Sequence, residues 1–283
     1  MAVNLADLHT HTTASDGLQR PADNVRMAKA AGLAAVGITD HDTVDGVEEA
    51  VNEGERLGIA VVPGVEISTY AGGCDIHILG YYTDWRSDRW REKLGTLLNG
   101  RNRRNELILE KLGKLGIAIT MADVMAEARR AGKDSGTIGR PHIAAVLVAR
   151  GAVGSTQEAF EKYLAAGAQA YASASRLSPF EALEWIREAG GTSVIAHPGL
   201  YGNDSLVEDI IRAGAEGIEA YHSDHAPEDE AKYVKLASQY GLIVTGGSDF
   251  HGVRAGEDVF HGPIGHRTVD AAVLKQLNPA WRV

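Results

Sequence analysis

The chain has 283 residues, 44% hydrophobic and 23% charged, and its 28 Lys and Arg against 38 Asp and Glu leave a formal net charge of −10. That acidic balance excludes a broad basic face for holding nucleic acid, but not an anionic substrate, because bound metal ions reverse a local field. A single cysteine, Cys74, excludes an intramolecular disulfide. No apolar run reaches the roughly 18 residues of a membrane span, and the first residues lack a basic stretch followed by an apolar one. A cytoplasmic protein without a membrane partner is expected.

Short apolar runs alternate with amphipathic stretches, the pattern of βαβ units. In chain order the spacing predicts strand Val3–Leu8, helix Pro21–Ala31, strand Ala34–Thr39, helix Val44–Leu57, and strands Ala60–Val65 and Ile76–Tyr81. From about Asp84 to Gln169 the periodicity is helical, with helices over Trp90–Leu115, Met121–Ala131 and Arg140–Arg150. Helix Pro179–Ala189, strand Ser193–Ala196, helix Ser205–Ala213, strand Gly217–Tyr221, helix Glu228–Tyr240 and strand Ile243–Gly246 follow. Pro21 and Pro179 suit first helical turns, and Gly32, Gly58, Gly190 and Gly241 suit helix ends. Seven strands with crossover helices predict an α/β barrel of the (β/α) type. The expected organisation is a barrel of residues 1–84 and 170–283 with an all-helical insertion of residues 85–169. That insertion either packs passively on the barrel or caps its site and touches substrate.

The histidines fall at strand ends, where a barrel builds its active site. His9 and His11 stand at i and i+2 and share a face, and Asp16 follows in a polar turn. His41 lies among acids after the second strand. Glu66 is a carboxylate on an apolar strand, where burial demands a partner. His77, His197, Asp249 and His251 complete nine donors. About three protein ligands serve each open metal site, so nine with one bridging carboxylate suit two or three divalent ions. Imidazole and carboxylate without thiolate favour Zn, Mn or Fe. Such ions outweigh the three carboxylates, attract an anion, and lower the pKa of a bound water to roughly 7, so that a metal-bound hydroxide attacks phosphorus.

The runs Asp7–Gly17 (DLHTHTTASDG), Ile38–Thr43 (ITDHDT), Pro63–Ser68 (PGVEIS), the lone His77, Ile195–Gly199 (IAHPG) and Gly247–Gly252 (GSDFHG) occur in that order. Together they resemble the PHP (polymerase and histidinol phosphatase) family of metal-dependent phosphoesterases, and Thr137–Ala144 (TIGRPHIA) extends the likeness into the insertion. The resemblance implies a distorted (β/α)7 barrel with a trinuclear site. One ion is then held by His9, His11, Glu66 and Asp249, a second by Glu66, His77 and His197, and a third by Asp16, His41 and His251. Asp16 stands where other members often have histidine. The combination is similar to stand-alone members that act on nucleoside phosphates, cyclic phosphates or short RNA 5′ ends, and the chain has no polymerase segment.

Asp249, His251 and Glu66 are therefore expected in catalysis. Arg140, which forks onto phosphate oxygens, is expected to bind substrate together with His222 and His225 beyond the sixth strand. His142 reads as a structural residue or one that supports the site from behind, Asp40 either as a partner that orients His41 or as an ordinary acid at a helix N-terminus, Cys74 as inert, and His261 and His266 as solvated. The basic run Arg101–Arg104 reads as a wet helix face or a guide for an oligonucleotide. The expected partner is a small phosphorylated molecule of nucleotide type (a 3′,5′-bisphosphonucleotide, a cyclic phosphate or a short RNA end), with no stable nucleic-acid complex. Histidinol phosphate or a sugar phosphate is the alternative substrate, and a metal-binding regulatory domain without catalysis the alternative from another class.

Overall fold

The computed structural model describes residues 4–130, 138–172, 177–253 and 261–278, without the Arg101 side chain. Val3, Ala131 and Thr137, which belong to predicted segments, lie outside the described residues. The strands are β1 (Leu5–Asp7), β2 (Ala35–Ile38), β3 (Ala60–Ala71), β4 (Cys74–Tyr81), β5 (Thr192–Ile195), β6 (Gly217–His222), β7 (Ile243–Gly247) and β8 (Val269–Asp270). They lie in the order β7-β6-β5-β4-β3-β2-β1-β8. The sheet also closes on itself, because the chain just beyond β1 bonds to the end of β7. Leu8 N donates to Gly246 O (3.1 Å), Asp249 N to His9 O (2.9 Å) and His11 N to Phe250 O (2.8 Å). Gly247 permits this seam, since a Cβ there would lie 2.3 Å from His9 Cβ.

The result is a seven-stranded distorted barrel, and the distortion has a definite place. β4 runs antiparallel to both β3 and β5, while the other barrel pairs described are parallel. No crossover helix joins β3 to β4; a tight turn at Gly72 (φ 59°) and Gly73 (φ 89°) does. β3 also runs past Val65, where the apolar pattern ends, because Glu66, Ser68 and Tyr70 remain in the ladder with β4. The short β8, not anticipated from the sequence, pairs antiparallel with the start of β1.

Helices α1 (Pro21–Ala30) and α2 (Val47–Leu57) follow β1 and β2. The second starts three residues later than its periodicity suggests, after Asp42 turns the chain at φ 55°. Between β4 and β5 come α3 (Asp88–Lys114), α4 (Met121–Arg130), α5 (Arg140–Ala149), α6 (Thr156–Ala159) and α7 (Pro179–Glu188). α8 (Asp204–Arg212) and α9 (Pro227–Tyr240) flank β6, and α10 (Leu274–Leu277) ends the described chain. A capping box sets the start of α7: Ser178 Oγ accepts from Glu181 N (3.3 Å) while Glu181 Oε2 accepts from Ser178 N (2.9 Å). Inside the barrel Ala6, Leu8, Val62, Leu79, Tyr81 and Val194 pack together. A larger cluster joins the strands' outer faces to the helices around them. A third, built on Ile108, Leu112, Val124, Ile143 and Leu147, belongs to the helical segment and reaches Ala170 and Ala172. Among the described residues no helix is long and apolar enough to cross a membrane.

Candidate metal centre

The structure brings all nine predicted donors to the ends of the strands, around Glu66. His9 and His11 leave β1 on one face, and Thr39–His41 continues β2 beside β3, with Glu66 N bonded to Asp40 O (3.1 Å). Glu66 is 1% exposed and surrounded by ring nitrogens. Its Oε2 lies 3.4 Å from His9 Nε2, 3.2 Å from His11 Nε2 and 3.0 Å from His41 Nδ1. Its Oε1 lies 2.8 Å from His77 Nδ1 and 3.0 Å from His197 Nε2. Asp249 Oδ1 approaches His9 Nε2 (3.3 Å) and His11 Nε2 (3.0 Å), and those two nitrogens are 3.2 Å apart.

This donor set suits a cation. Glu66 Oε2 and Asp249 Oδ1 are buried without any hydrogen bond of acceptable geometry. With His9 Nε2 and His11 Nε2 they make a four-atom group, and the five edges that involve a ring nitrogen run from 3.0 to 3.4 Å. Ligands about 2.0–2.1 Å from a tetrahedral ion stand roughly 3.3 Å apart. Burial alone would push the His11 ring down, yet the adjacent Asp249 and Glu66 carboxylates hold it up at about 10. Burial likewise opposes the Glu66 charge, but His41, His77 and His9 overcome it and keep the carboxyl well below the usual range. Negative charge here is thus matched by whatever positive charge the site can hold. His197 differs: burial depresses it to about 4, keeping a neutral nitrogen facing Glu66 and His77.

The group around Asp16 is looser. His251 Nε2 lies 3.3 Å from Asp16 Oδ1, whereas His11 Nδ1 and His41 Nε2 stand 3.8 Å from its oxygens. His251 Nδ1 donates to Asp249 O (2.8 Å), which aims Nε2 at Asp16. Asp40 is not used as expected. It takes Thr12 N, Thr12 Oγ1, Ser15 N and Ser15 Oγ (2.6–3.1 Å), so it holds the turn that carries Asp16.

Several positioning residues escaped the sequence reading. Glu219, fully buried on β6, accepts from His9 Nδ1 (3.0 Å) and from His197 N (2.8 Å). It thereby fixes the His9 tautomer with Nε2 toward Glu66. Glu219 carried the same signal as Glu66, an acid inside an apolar strand. Asp7 accepts from Ser248 N (2.9 Å) and Gly265 N (2.8 Å), tying β1 to β7; burial raises its carboxyl to about 6. The Tyr201 hydroxyl donates to Ala196 O (2.6 Å) and accepts from His77 N (3.0 Å), linking β5 to β4 beside two donors. Asp249 (φ 52°) and His197 (φ 23°) hold left-handed backbone, which costs on the order of 1–3 kcal/mol each in a non-glycine residue.

Other expectations change. His225 is 4% exposed, with Nδ1 bonded to Ala220 O (2.9 Å) and Nε2 accepting from Gly199 N (3.1 Å). Both ring nitrogens serve the backbone, which removes it as a substrate contact. His222 Nδ1 accepts from Asp224 N (3.1 Å), which leaves Nε2 to donate to Asp249 Oδ2 (3.2 Å); it orients a donor instead of facing substrate. His261 is not solvated: it bridges Asp224 and Asp249, with Nε2 3.3 Å from Asp249 Oδ2. Its loop position gave no periodic signal. His142 caps α5 by accepting from Gly139 N (3.0 Å), and burial raises the Cys74 thiol, both in keeping with quiet roles. Arg140 pairs with Asp75 (2.6 Å), two residues from His77. In the basic run, Arg103 is exposed and pairs with Glu106, but Arg104 is only 6% exposed, so this is not simply a wet face.

Comparison with known proteins matches residues 7–166 to the PHP domain family. A 3′,5′-nucleoside bisphosphate phosphatase of Chromobacterium violaceum is 34% identical, the match covering 98% of this chain and 95% of the relative. A 5′-3′ exoribonuclease of Escherichia coli is 35% identical over 87% of this chain and 84% of its own. Among solved structures, a Bifidobacterium adolescentis protein described as a metal-dependent phosphoesterase superposes with a TM-score of 0.84 at 30% identity, covering 98% of this chain and 96% of that one.

Proposed function

The chain belongs to the PHP family, and on that premise we propose that it hydrolyses a phosphate ester of a nucleotide-like substrate, using two or three divalent ions of Mn, Zn or Fe type. The observation that supports this most is the group of five imidazole nitrogens around the buried Glu66 carboxylate, with Asp249 Oδ1 closing one tetrahedral set. His9, His11, Glu66 and Asp249 would hold one ion, Glu66, His77 and His197 a second, and Asp16, His41 and His251 a third. Bound there, such ions lower the pKa of a water to about 7 and neutralise charge on phosphoryl oxygens. The chain's own contribution is positional. Glu66 shares its two oxygens between neighbouring ligand sets, Asp249 is aimed by His222 and His261, and His251 is turned toward Asp16 by the Asp249 carbonyl.

Residues 85–169 would act as a cap, with Arg140 bonded to Asp75, two residues along β4 from His77. The relatives named above act on 3′,5′-nucleoside bisphosphates and on RNA from its 5′ end, so a small nucleotide or short oligonucleotide is the substrate class. A net charge of −10 agrees with a transient small anion and disfavours a stable nucleic-acid complex. A screen of Mn-loaded protein tests this, reading phosphate release from adenosine 3′,5′-bisphosphate and histidinol phosphate, and by chromatography the ring-opened monophosphate from 2′,3′-cyclic phosphates and the mononucleotides from 5′-phosphorylated RNA. Release from a nucleotide or RNA substrate is expected, whereas turnover of histidinol phosphate alone would overturn the substrate class.

A further inference from the structure

The donors differ in how the backbone holds them. Glu66 and His77 sit within the β3–β4 ladder, and His9 is fixed at the seam with β7, where Asp249 N donates to its carbonyl (2.9 Å). Asp16 and His251 lie beyond the strands, on the turn after β1 and on the segment that follows β7. Their separation is set by bonds between those two segments. Asp40 anchors the near half of the turn, at Thr12 and Ser15. Gly17 N closes the turn on Thr12 O (2.9 Å), and Thr13 N donates to Gln19 O (2.8 Å).

The far half of the turn is stitched to the His251 segment. Leu18 N donates to His251 O (2.9 Å). One residue further along, the Gln19 side chain takes the part of a second backbone unit. Its Nε2 donates to Val253 O (3.2 Å) and its Oε1 accepts from Val253 N (3.2 Å). A primary amide carries donor and acceptor side by side, which matches the N–H and C=O of a single extended residue. Between these bonds lies Gly252, at φ 126°. A Cβ there would stand 2.5 Å from Gln19 Oε1 and from Leu18 Cβ, so the segments approach this closely only because Gly252 has no side chain. Across the stitch His251 Nε2 meets Asp16 Oδ1 at 3.3 Å, with His41 Nε2 3.8 Å from Asp16 Oδ2.

We propose that Gln19 is a positioning residue for the third ion: its amide holds the Asp16 turn and the His251 segment in register, and cutting it releases that ion while the other two stay. This rests on the three-ion reading of the donor cluster and places control of its loosest ligand set in a residue outside the nine donors. The His251 ring is already aimed by the Asp249 carbonyl, and His41 is held by its bridge to Glu66. The remaining variable is how far the Asp16 carboxylate stands from both, and Gln19 governs that distance. Partners that orient ligands in this way set metal affinity without touching the metal. The donors of the other two ions stand on or beside barrel strands, whose ladders do not run through Gln19.

The test counts bound Mn by elemental analysis while free Mn is stepped down from saturation with a chelator buffer. Wild type is expected to hold three ions at saturation and to lose one of them first. Gln19→Leu keeps the bulk of the side chain and loses both bonds to Val253. It should raise the dissociation constant of that first-lost ion by roughly tenfold or more, the worth of two hydrogen bonds removed together, and leave the other two within about twofold. Gln19→Asn stays polar but is one methylene too short to keep both bonds. It should weaken the same ion by about threefold or more, and it decides the matter if Gln19→Leu does not fold. Release curves equal to wild type in the folded variants, or a weakening of all three ions alike, overturn the role of Gln19. A wild type that saturates at two ions instead overturns the three-ion reading on which that role rests.

Discussion

At the strand ends of the barrel, six imidazoles and the carboxylates of Asp16, Glu66 and Asp249 crowd together at 2.8–3.8 Å. In the helical segment between β4 and β5 the polar groups are mostly paired at the surface, as in Arg103–Glu106, Lys114–Glu110 and Arg150–Asp123. Its interior is a packed apolar cluster around Ile108, Leu112 and Ile143. The first arrangement leaves Glu66 Oε2 and Asp249 Oδ1 unsatisfied, and such groups cost free energy when left so. The second is held by the packing of that apolar cluster. The barrel region thus gathers donors able to hold a cation, whereas the helical region is packed around its own apolar cluster, and the two are joined where Arg140 meets Asp75.

Removing the shared carboxylate strains that contrast most. Glu66→Gln keeps the shape but takes one negative charge from the centre of five imidazoles. Turnover is expected to fall by roughly 10³-fold or more, the several kcal/mol a metal ion supplies to a phosphoryl transition state. Elemental analysis should show metal loss in parallel. Chelation of the wild type should act on the same region: hydrogen exchange speeds up at Leu8–His11, Glu66–Ser68 and Ser248–Phe250, while the amides of α3 and α5 keep their protection. Equal loosening of both regions would refute the division.

The same contrast explains what the sequence made legible. His9, His41, Glu66, His77 and His197 end or interrupt an apolar run, so periodicity pointed to the strand ends before any contact was known, whereas Asp16 lies in a polar turn that periodicity does not mark. The helical segment was recognisable as helical for the same reason. What periodicity could not carry was pairing across the chain. Glu219 meets His9 over 210 residues, His261 reaches Asp249 from a loop without pattern, and Arg104 sits buried in a basic run where only packing distinguishes it from the exposed Arg103. His225 erred in the opposite direction: its place after β6 looked functional, but two backbone groups occupy its ring. The antiparallel β4 was hidden because an apolar run looks alike in either direction.

A smaller perturbation sharpens the boundary of the site itself. Glu219→Gln leaves every donor in place but exchanges a carboxylate for an amide that accepts less strongly from His9 Nδ1 and His197 N. Partners of this kind are worth about 10–100-fold in metal affinity or activity. Competition with a metal-sensitive dye should show the affinity loss, and excess metal should restore part of the turnover. A loss that no metal concentration restores would mean that Glu219 serves the barrel's packing and not the donors' orientation.

The mildest effect on turnover is expected from the other side of the comparison. Ile108 is fully buried in the helical cluster, beside Leu112, Val124 and Ile143. Ile108→Ala opens a cavity there and should cost about 2–5 kcal/mol locally, a large share of the roughly 5–15 kcal/mol that holds a domain. If residues 85–169 fold as a unit of their own, calorimetry shows two transitions, and only the one insensitive to chelator moves down. Below that transition metal content stays at the wild-type level and activity on p-nitrophenyl phosphate changes by no more than about two- to threefold, since surroundings distant from a mutation respond nearly independently. A single transition that drops and releases metal together would show instead that the helical cluster and the barrel are one cooperative core, and the cap would then be part of the site's foundation.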